Sequence, residues 1–380
     1  MLDGVRVLDL TRLLPGAFCT LQLADMGADV VKVEAPGAGD YMRWYPPLHE
    51  GQSVLFNALN RNKRSLTLNL KSAAGRELFL SLVEAADVVL EGNRPGVMDR
   101  LGLGWRALSA RNPRLVMCAI TGYGQDGPLA HRAGHDLNYL AIAGALSMNA
   151  RRGELPHPLS VQVADLGGGG QAAAIAILGA LLAVARGGGG RFLDVSMTDG
   201  ALTWLAVPLA QERAQGAAPA GMHRLTGRFA CYDVYQCADG RSLSVAALEP
   251  KFWQALCEAL GRPDLVDDQY EDAAQERLRR ELAGVLRERP RDEWVAALDG
   301  LDVCCEPVLE LGEAMQHPHV RARGLLADLP TGLEVAPAVR VTEGWRRRPA
   351  PRLGEDTAAL LAEVGVDADG VAELRTAGVV

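Results

Sequence analysis

Two short segments of the chain combine acid–base side chains with glycine. AGHDLNY, residues 133–139, places His135 and Asp136 shortly after the glycine-rich turn TGYGQDG. Histidine and carboxylate side chains can exchange protons near neutral pH, and the loops of α/β folds commonly carry such groups. We therefore take His135 and Asp136 as candidates for acid–base catalysis. The alternative is a helix start, in which Asp136 caps backbone N–H groups beside an incidental histidine.

Asp165 stands in VADLGGGG, directly before an apolar helix. The positive end of the helix dipole favours an anion there, and the glycines allow a ligand to approach the backbone closely. Asp165 is thus a second catalytic candidate, with a helix N-cap as the alternative. Glu249 is a third, because it follows the apolar strand SLSVAAL and precedes Pro250, at a strand end. Taken alone, Glu249 is an ordinary helix-start residue.

Three basic residues are candidates for binding an anionic ligand. Lys71 follows the strand SLTLNL, and Arg94 and Arg100 flank the segment RPGVMDR. Arginine suits bidentate contacts to phosphate, although each side chain could equally be solvated at the surface. The run Arg346 to Arg348 is interpreted as solvated.

The spacing of the histidines and cysteines does not indicate a metal site or a redox site. His317 and His319 flank a proline without matching cysteine or carboxylate ligands, so we expect no metal site. The seven cysteines form no CxxC pair, which favours a reducing, cytoplasmic environment. Cys304 and Cys305 are expected to be buried thiols.

The overall composition excludes several classes of protein. The net charge of -8 disfavours a nucleic-acid-binding protein. The start MLDGVRVLDL lacks the features of a secretory signal. The longest apolar run, 172–185, is shorter than the roughly 20 residues that cross a bilayer, so it is predicted to be a buried helix, with no membrane partner.

The hydrophobic pattern predicts an α/β fold. VRVLDL and DVVKVEAP are typical of buried parallel strands, and the segment between them is helical, which makes a βαβ unit. The same alternation continues over roughly the first 200 residues. Because the first strand–helix turn, TRLLPGAF, lacks GxGxxG, this Rossmann-like sheet is not expected to bind NAD.

The predicted domains are a large α/β domain over 1–213, a linker over 214–224, a smaller α+β domain over 225–325, and a C-terminal segment over 326–380 that returns to the large domain. The linker is rich in alanine, glycine and proline, and the hairpin-like pattern ACYDVYQCADGRSLSVAAL follows it.

Seven motifs in order resemble one enzyme family. They are GVRVLDLTRLLPGAFCTLQLADMGADVVKVEAP, NKRSLTLNLK, RPGVMDRLGLG, TGYGQDGPL, AGHDLNYLA, VADLGGGG and GRFLDVSMTDG. Together they are similar to the family III CoA-transferases (CaiB/BaiF), and AGHDLNY is similar to the α-methylacyl-CoA racemase branch. The resemblance implies a homodimer of interlocked chains.

The resemblance also implies roles for the candidate residues. His135 and Asp165 would be the two proton carriers, Glu249 would support His135, and Asp136 would orient the site. The nucleotide part of coenzyme A would lie against Leu68, Asn69, Leu70, Lys71, Arg94 and Arg100, and the thioester would lie against Gly134 to Tyr139. Coenzyme A would be part of the substrate, with no prosthetic group.

Three functions stay open at this point. Racemisation of 2-methylacyl-CoA thioesters needs two bases on opposite faces of the α-carbon. A CoA-transferase would instead use Asp165 as a nucleophile. A non-catalytic acyl-CoA binding protein would use the basic residues Lys71, Arg94 and Arg100 but not Asp165. The sequence differs from typical racemases at Gly227 to Ala230, where a GGAP-type loop is usual and where the resemblance places the acyl group.

Overall fold

The computed structural model describes residues 1–151, 153–217, 220–329, 332–339 and 347–380. Its strands are β1 (Arg6–Asp9), β2 (Asp29–Glu34), β3 (Leu48–His49), β4 (Gln52–Ser53), β5 (Arg64–Thr67), β6 (Val88–Glu91), β7 (Val116–Thr121), β8 (Arg191–Ser196), β9 (Tyr232–Gln236), β10 (Ser242–Ala246), β11 (Cys305–Pro307), β12 (Leu326–Leu329) and β13 (Gly332–Val335). Its helices are α1 (Leu13–Asp25), α2 (Val54–Asn60), α3 (Ala73–Glu84), α4 (Val97–Arg100), α5 (Trp105–Arg111), α6 (Asp136–Ala143), α7 (Ala145–Met148), α8 (Ala172–Ala185), α9 (Met197–Thr203), α10 (Ala206–Gln215), α11 (Pro250–Ala259), α12 (Gln275–Leu286), α13 (Arg291–Leu298), α14 (Leu311–Gln316), α15 (Pro318–Ala322), α16 (Thr357–Ala362) and α17 (Ala368–Thr376). A π-helical segment, Ala164–Gln171, runs directly into α8.

Six strands form a parallel sheet in the order β5-β2-β1-β6-β7-β8. Their central members are buried on both faces, as continuous apolar strands of a parallel sheet must be. The strand order reverses direction between β1 and β6, and the carboxyl ends of these two neighbouring strands lie side by side. The predicted Rossmann-like α/β fold is confirmed.

The chain divides into two units. The first comprises residues 1–144, 159–205 and 322–380, and the second comprises 145–158 and 206–321. Residues 145–158 and 206–213, which were predicted to lie in the large domain, belong to the second unit. The C-terminal part of the first unit begins at residue 322, whereas the returning segment was predicted to begin at 326. The predicted linker overlaps the end of α10 by two residues, Ala214 and Gln215. Helix α10 extends this far because its Ala, Gln, Glu and Arg residues are strong helix formers. Parts of the linker (218–219) and of the C-terminal segment (330–331 and 340–346, including Arg346) lie outside the described residues.

The C-terminal segment packs on the sheet edge that carries β5. The Asp356 carboxylate accepts the backbone N–H of Ser65 at 3.0 Å, and the Val379 carbonyl accepts that of Asn69 at 2.7 Å. Leu360 and Leu361 of α16 are fully buried in the same core. These contacts fix the loop that follows β5, where the nucleotide-binding residues were predicted.

The long apolar helix differs from its prediction. The π-helical segment and α8 are continuous over Ala164–Ala185, which is 22 residues, and the most apolar 18-residue stretch has a mean hydropathy of 1.8 and is only 44% buried. Ile175 is 71% exposed and Leu182 is 52% exposed. The prediction of a buried helix is therefore wrong for one face. Among the described residues, this is the one helix that is long and apolar enough to cross a membrane. Core helices of soluble proteins can have the same length and composition.

The second unit contains its own sheet and core. β9 and β10 form the predicted hairpin, and β11 pairs with β10. Trp253 of α11 is fully buried at the centre of the core. Cys304 is exposed and has a φ of 48°, so the prediction that it is buried is wrong. It stands in the turn into β11 and is not part of the core, against which the partly buried Cys305 packs.

Candidate active site

Apart from Asp136, the predicted site residues of the first unit line two cavities at the carboxyl edge of the parallel sheet. One cavity has a volume of about 620 Å³ and the other of about 700 Å³. Thr11, Arg12, Asn93 and Val97 line both, so the cavities adjoin at the ends of β1 and β6. Ligands of open α/β sheets bind at such a reversal in strand order.

The larger cavity brings His135 and Asp165 together. His135 is the exposed N-cap residue of α6, and its backbone N–H donates to the Asn138 side chain at 3.1 Å. Asp136 begins the helix, but its carboxylate accepts the backbone N–H of Asp165 at 2.9 Å. Asp136 therefore links α6 to the π-helical segment and orients Asp165. The alternative given by the sequence was that Asp136 caps the backbone N–H groups of its own helix.

The carboxyl group of Asp165 is poised to exchange a proton. Its side chain is partly buried, and burial together with the nearby Asp136 carboxylate raises the pKa of Asp165 to about 7. A carboxyl group with this pKa is populated in both protonation states at neutral pH. It can therefore act as an acid or as a base.

Gly134 and Tyr139 form the wall beside His135. The Tyr139 hydroxyl donates to the Gly134 carbonyl at 2.5 Å, and the Tyr139 ring meets Tyr123 edge-on at 5.2 Å. Burial and the neighbouring Asp165 raise the pKa of Tyr139 to about 12, so the phenol keeps its proton. A Cβ at Gly134 would lie 2.7 Å from the Tyr139 ring, which explains the glycine before His135.

The smaller cavity contains the predicted nucleotide-binding segment. Leu68, Asn69, Leu70 and Lys71 line it together, just beyond the end of β5. Leu68 is held by its backbone N–H, which donates to the Glu34 carbonyl at 2.7 Å. The Asn69 side chain accepts the Lys71 backbone N–H at 3.1 Å, so the segment turns tightly around the cavity rim.

Arg94 and Arg100 line the larger cavity rather than the smaller one. Both flank the turn after β6, and the Arg100 guanidinium lies 3.2 Å from the position that a Cβ of Gly96 would occupy. Their turn borders the junction of the two cavities through Asn93 and Val97. The two guanidinium groups can therefore bind a diphosphate at this junction.

Sequence reasoning missed Arg12 and Asn93, which line both cavities. The signal was present, since each follows a central strand of the predicted parallel sheet, and residues at such positions commonly contact ligands. Arg12 lies over the Tyr41 ring, 5.7 Å from its centroid. No glycine-rich motif marked either position.

A buried charge network supports the wall formed by Thr11 to Leu13. Asp9 accepts the Thr11 N–H at 2.9 Å and lies 3.5 Å from the Lys63 ammonium, while Lys32 pairs with Asp40 at 3.0 Å and donates to the Thr11 carbonyl at 2.9 Å. These four charged groups are fully buried. Burial disfavours the Asp9 carboxylate, but Lys32 and Lys63 outweigh it and lower the pKa of Asp9 below its ordinary value. Leu13 has a φ of 60°, and its backbone N–H donates to the Asp40 carboxylate of the network at 3.3 Å.

Two predicted features lie in the second unit. Glu249 is the exposed N-cap residue of α11, at the end of β10 as predicted, and its role as a support of His135 stays a prediction. In the unusual loop, Arg228 pairs with Asp272 at 2.9 Å and Phe229 is buried. Gly227 and Arg228 line a separate cavity of about 590 Å³.

The family profile of CoA-transferase family III matches residues 2–357. The chain belongs to CoA-transferase family III. This confirms the family resemblance, and it makes the chain a member of an enzyme family that includes both transferases and racemases.

Relatives of this family member carry out both reactions. The α-methylacyl-CoA racemase of Mus musculus is 36% identical over 99% of this chain and 96% of its own length. The acetyl-CoA:oxalate CoA-transferase of Acetobacter aceti is 35% identical over 95% of each chain. A CaiB/BaiF family protein from Brucella suis has a crystal structure that matches with a TM-score of 0.84 at 32% identity, covering 96% of this chain and 99% of its own. Overall similarity therefore does not choose between the reactions.

We expect Arg94→Ala and Arg100→Ala each to weaken binding of coenzyme A about tenfold, because each removes a charged hydrogen-bond donor from the junction of the cavities. Titration calorimetry with free coenzyme A measures the change. Arg106→Ala, an exposed arginine of α5 outside both cavities, is the matched control. Unchanged affinity in both cavity variants would contradict this location of the diphosphate.

Proposed function

We propose that the protein racemises 2-methyl-branched acyl-CoA thioesters. The observation that carries the proposal is that Asp165, with a pKa near 7, shares one cavity with His135. The racemase relatives and the adjoining nucleotide-sized cavity support it. Coenzyme A is part of the substrate, and the reaction needs no prosthetic group.

The proposed reaction removes a proton from one face of the α-carbon and delivers a proton to the opposite face. On one stereoisomer His135 takes the α-proton, the bonding electrons pass to the thioester oxygen as an enolate, and protonated Asp165 delivers a proton to the opposite face. On the mirror isomer Asp165 is the base and protonated His135 is the acid. In both directions of the reaction, His135 and Asp165 together hold one transferable proton before and after the step.

CoA transfer is the second candidate, supported by transferase relatives at nearly equal identity. In that reaction the Asp165 carboxylate would attack the thioester, release coenzyme A, and form a mixed anhydride. At a pKa of about 7 the Asp165 carboxylate that this attack needs is populated at neutral pH, as is the protonated form that racemisation of the other stereoisomer needs. His135 has a role in racemisation and none in transfer, and its position in the same cavity as Asp165 supports racemisation.

One experiment separates the two reactions. A single stereoisomer of a 2-methylacyl-CoA is incubated in D2O, with and without added carboxylic acids, and both α-deuterium uptake and movement of coenzyme A are followed. Racemisation gives deuterium uptake without an added acid. The racemase proposal fails if no 2-methylacyl-CoA takes up deuterium while coenzyme A passes between acids.

The pH dependence should show that the pair shares one proton. The kcat/KM for racemisation should fall on both sides of neutral pH and have the same profile for both stereoisomers, because each needs one proton on the pair. Asp136→Asn should move the limb set by Asp165 to lower pH, since the like charge that raises the pKa of Asp165 is removed while an acceptor for its N–H remains. An unmoved profile would contradict this coupling.

We also propose that the protein works as an interlocked homodimer in the cytoplasm. Exposed apolar side chains of the first unit, among them Ile142, Ile175 and Trp204, support a covering second copy. Sedimentation at dilute concentration should therefore show only the dimer. A stable species of monomer mass would remove this proposal.

A further inference from the structure

Four arginines line the cavity that contains His135 and Asp165: Arg12, Arg94, Arg100 and Arg132. Within the described parts of the chain, no carboxylate forms an ion pair with any of them. The buried arginines Arg43 and Arg61 are instead paired with carboxylates, at 2.7 Å from Glu34 and 2.6 Å from Asp25. The four cavity arginines are exposed and are grouped around one cavity, so they can receive anionic groups of a ligand.

Coenzyme A accounts for part of this charge. Its diphosphate and its 3′-phosphate together carry about four negative charges near neutral pH. Lys71 and Arg12 line the smaller cavity, and Arg94 and Arg100 flank the turn at the junction. These four cations balance the phosphates and leave Arg132 without an anion.

Arg132 belongs to the reacting end of the site. Like Arg94 and Arg100, it lines the larger cavity but not the smaller one; unlike them, it stands in the loop that carries His135, three residues before it. Its backbone N–H donates to the Leu129 carbonyl at 2.8 Å, which fixes the turn that leads into Gly134. Its position therefore matches the acyl group rather than the nucleotide.

We propose that Arg132 binds a carboxylate carried by the acyl group, which makes the substrates CoA thioesters of 2-methyl-branched dicarboxylic acids. The inference rests on the proposed racemase function. A guanidinium binds a carboxylate through two parallel hydrogen bonds. A purely aliphatic acyl chain would remove water from this cation and give it no counter-ion.

Two matched thioesters test the inference. The first is the coenzyme A thioester of 2-methylglutaric acid, joined at the carboxyl beside the branch, and the second is 2-methylpentanoyl-CoA. They differ only in a carboxylate in place of a methyl group. Wild type should exchange the α-proton of the first with a kcat/KM about 10-fold to 100-fold higher, mostly through KM.

Arg132→Leu should bring this ratio close to one, and Arg106→Leu, which removes an exposed arginine outside the cavity, should preserve it. Calorimetry with free coenzyme A should show wild-type affinity in Arg132→Leu. A tenfold weaker affinity would assign Arg132 to a phosphate and overturn the inference.

The remaining outcomes separate the inference from the function on which it rests. Wild type that exchanges both thioesters with equal kcat/KM overturns the dicarboxylate inference and leaves the racemase proposal standing. Exchange from neither thioester, under conditions where coenzyme A passes to an added acid, overturns both.

Discussion

Loss of racemisation by about 100-fold to 10,000-fold is the expected result of both His135→Ala and Asp165→Asn, because each removes one of the two proton carriers. The variants should differ in what they retain. With His135 absent, Asp165 can still exchange the α-proton of one stereoisomer without inverting it. With Asp165 neutralised, His135 can do the same only for the other stereoisomer. Mass spectrometry and chiral separation of the products in D2O measure both properties.

Two neighbouring substitutions control for damage to the loops. His131→Ala changes an exposed histidine of the same loop, and Asp126→Asn changes an exposed carboxylate nearby; neither residue lines the cavity. Both should racemise at the wild-type rate. A transferase gives another pattern, in which His135→Ala is tolerated and Asp165→Asn loses all movement of coenzyme A. That pattern would assign Asp165 as a nucleophile.

The parallel sheet could be predicted because the signals that form it are local. Segments such as VRVLDL carry continuous apolar residues, and strands buried on both faces need that composition. Lys71 follows from the same reasoning, because it comes directly after such a strand, whereas Leu68 to Leu70 were implied by the family resemblance. All four residues line the smaller cavity, and their contact with a nucleotide stays a prediction.

The exposed face of α8 could not be predicted from its sequence. An apolar helix without a polar stripe has no periodicity that distinguishes a buried face from an exposed one. The length of the helix also differs from the prediction, because the sequence predicted it over 172–185, whereas the structure continues the helix back through glycines 167–170 as a π-helical segment. Gly168 is packed so tightly against α9 that a Cβ there would lie 2.8 Å from the Met197 carbonyl oxygen.

The charge network beneath the site was also beyond sequence reasoning. Asp9, Lys32 and Lys63 each stand in or beside an apolar strand, where a charged residue is usually assigned to the surface. Their pairing depends on the order of the strands, because β2 and β1 are neighbours in the sheet while β5 lies beyond β2. Only the assembled sheet shows that these charges meet under the turn that carries Arg12.

Asp9→Asn should lower the free energy of unfolding by about 3–5 kcal/mol, because it leaves buried ammonium groups without part of their counter-charge. Asp9 is fully buried, lies 3.5 Å from Lys63, and accepts the Thr20 hydroxyl at 2.6 Å. Burial already lowers the pKa of Lys63 to about 8 while Asp9 is present. Without the carboxylate, Lys63 has only the Asn60 side chain at 2.9 Å and the Ala17 carbonyl at 3.0 Å, which are neutral acceptors.

Denaturant unfolding of Asp9→Asn, compared with Asp126→Asn as an exposed carboxylate control, measures this cost. The control should stay within about 0.5 kcal/mol of wild type, as surface substitutions usually do. Adding Lys63→Met to Asp9→Asn should recover stability, since the uncompensated cation is then replaced by an apolar side chain of similar length. A double variant no more stable than Asp9→Asn would show that the cost comes from rearranged hydrogen bonds to Thr11 and Thr20 rather than from the buried charge.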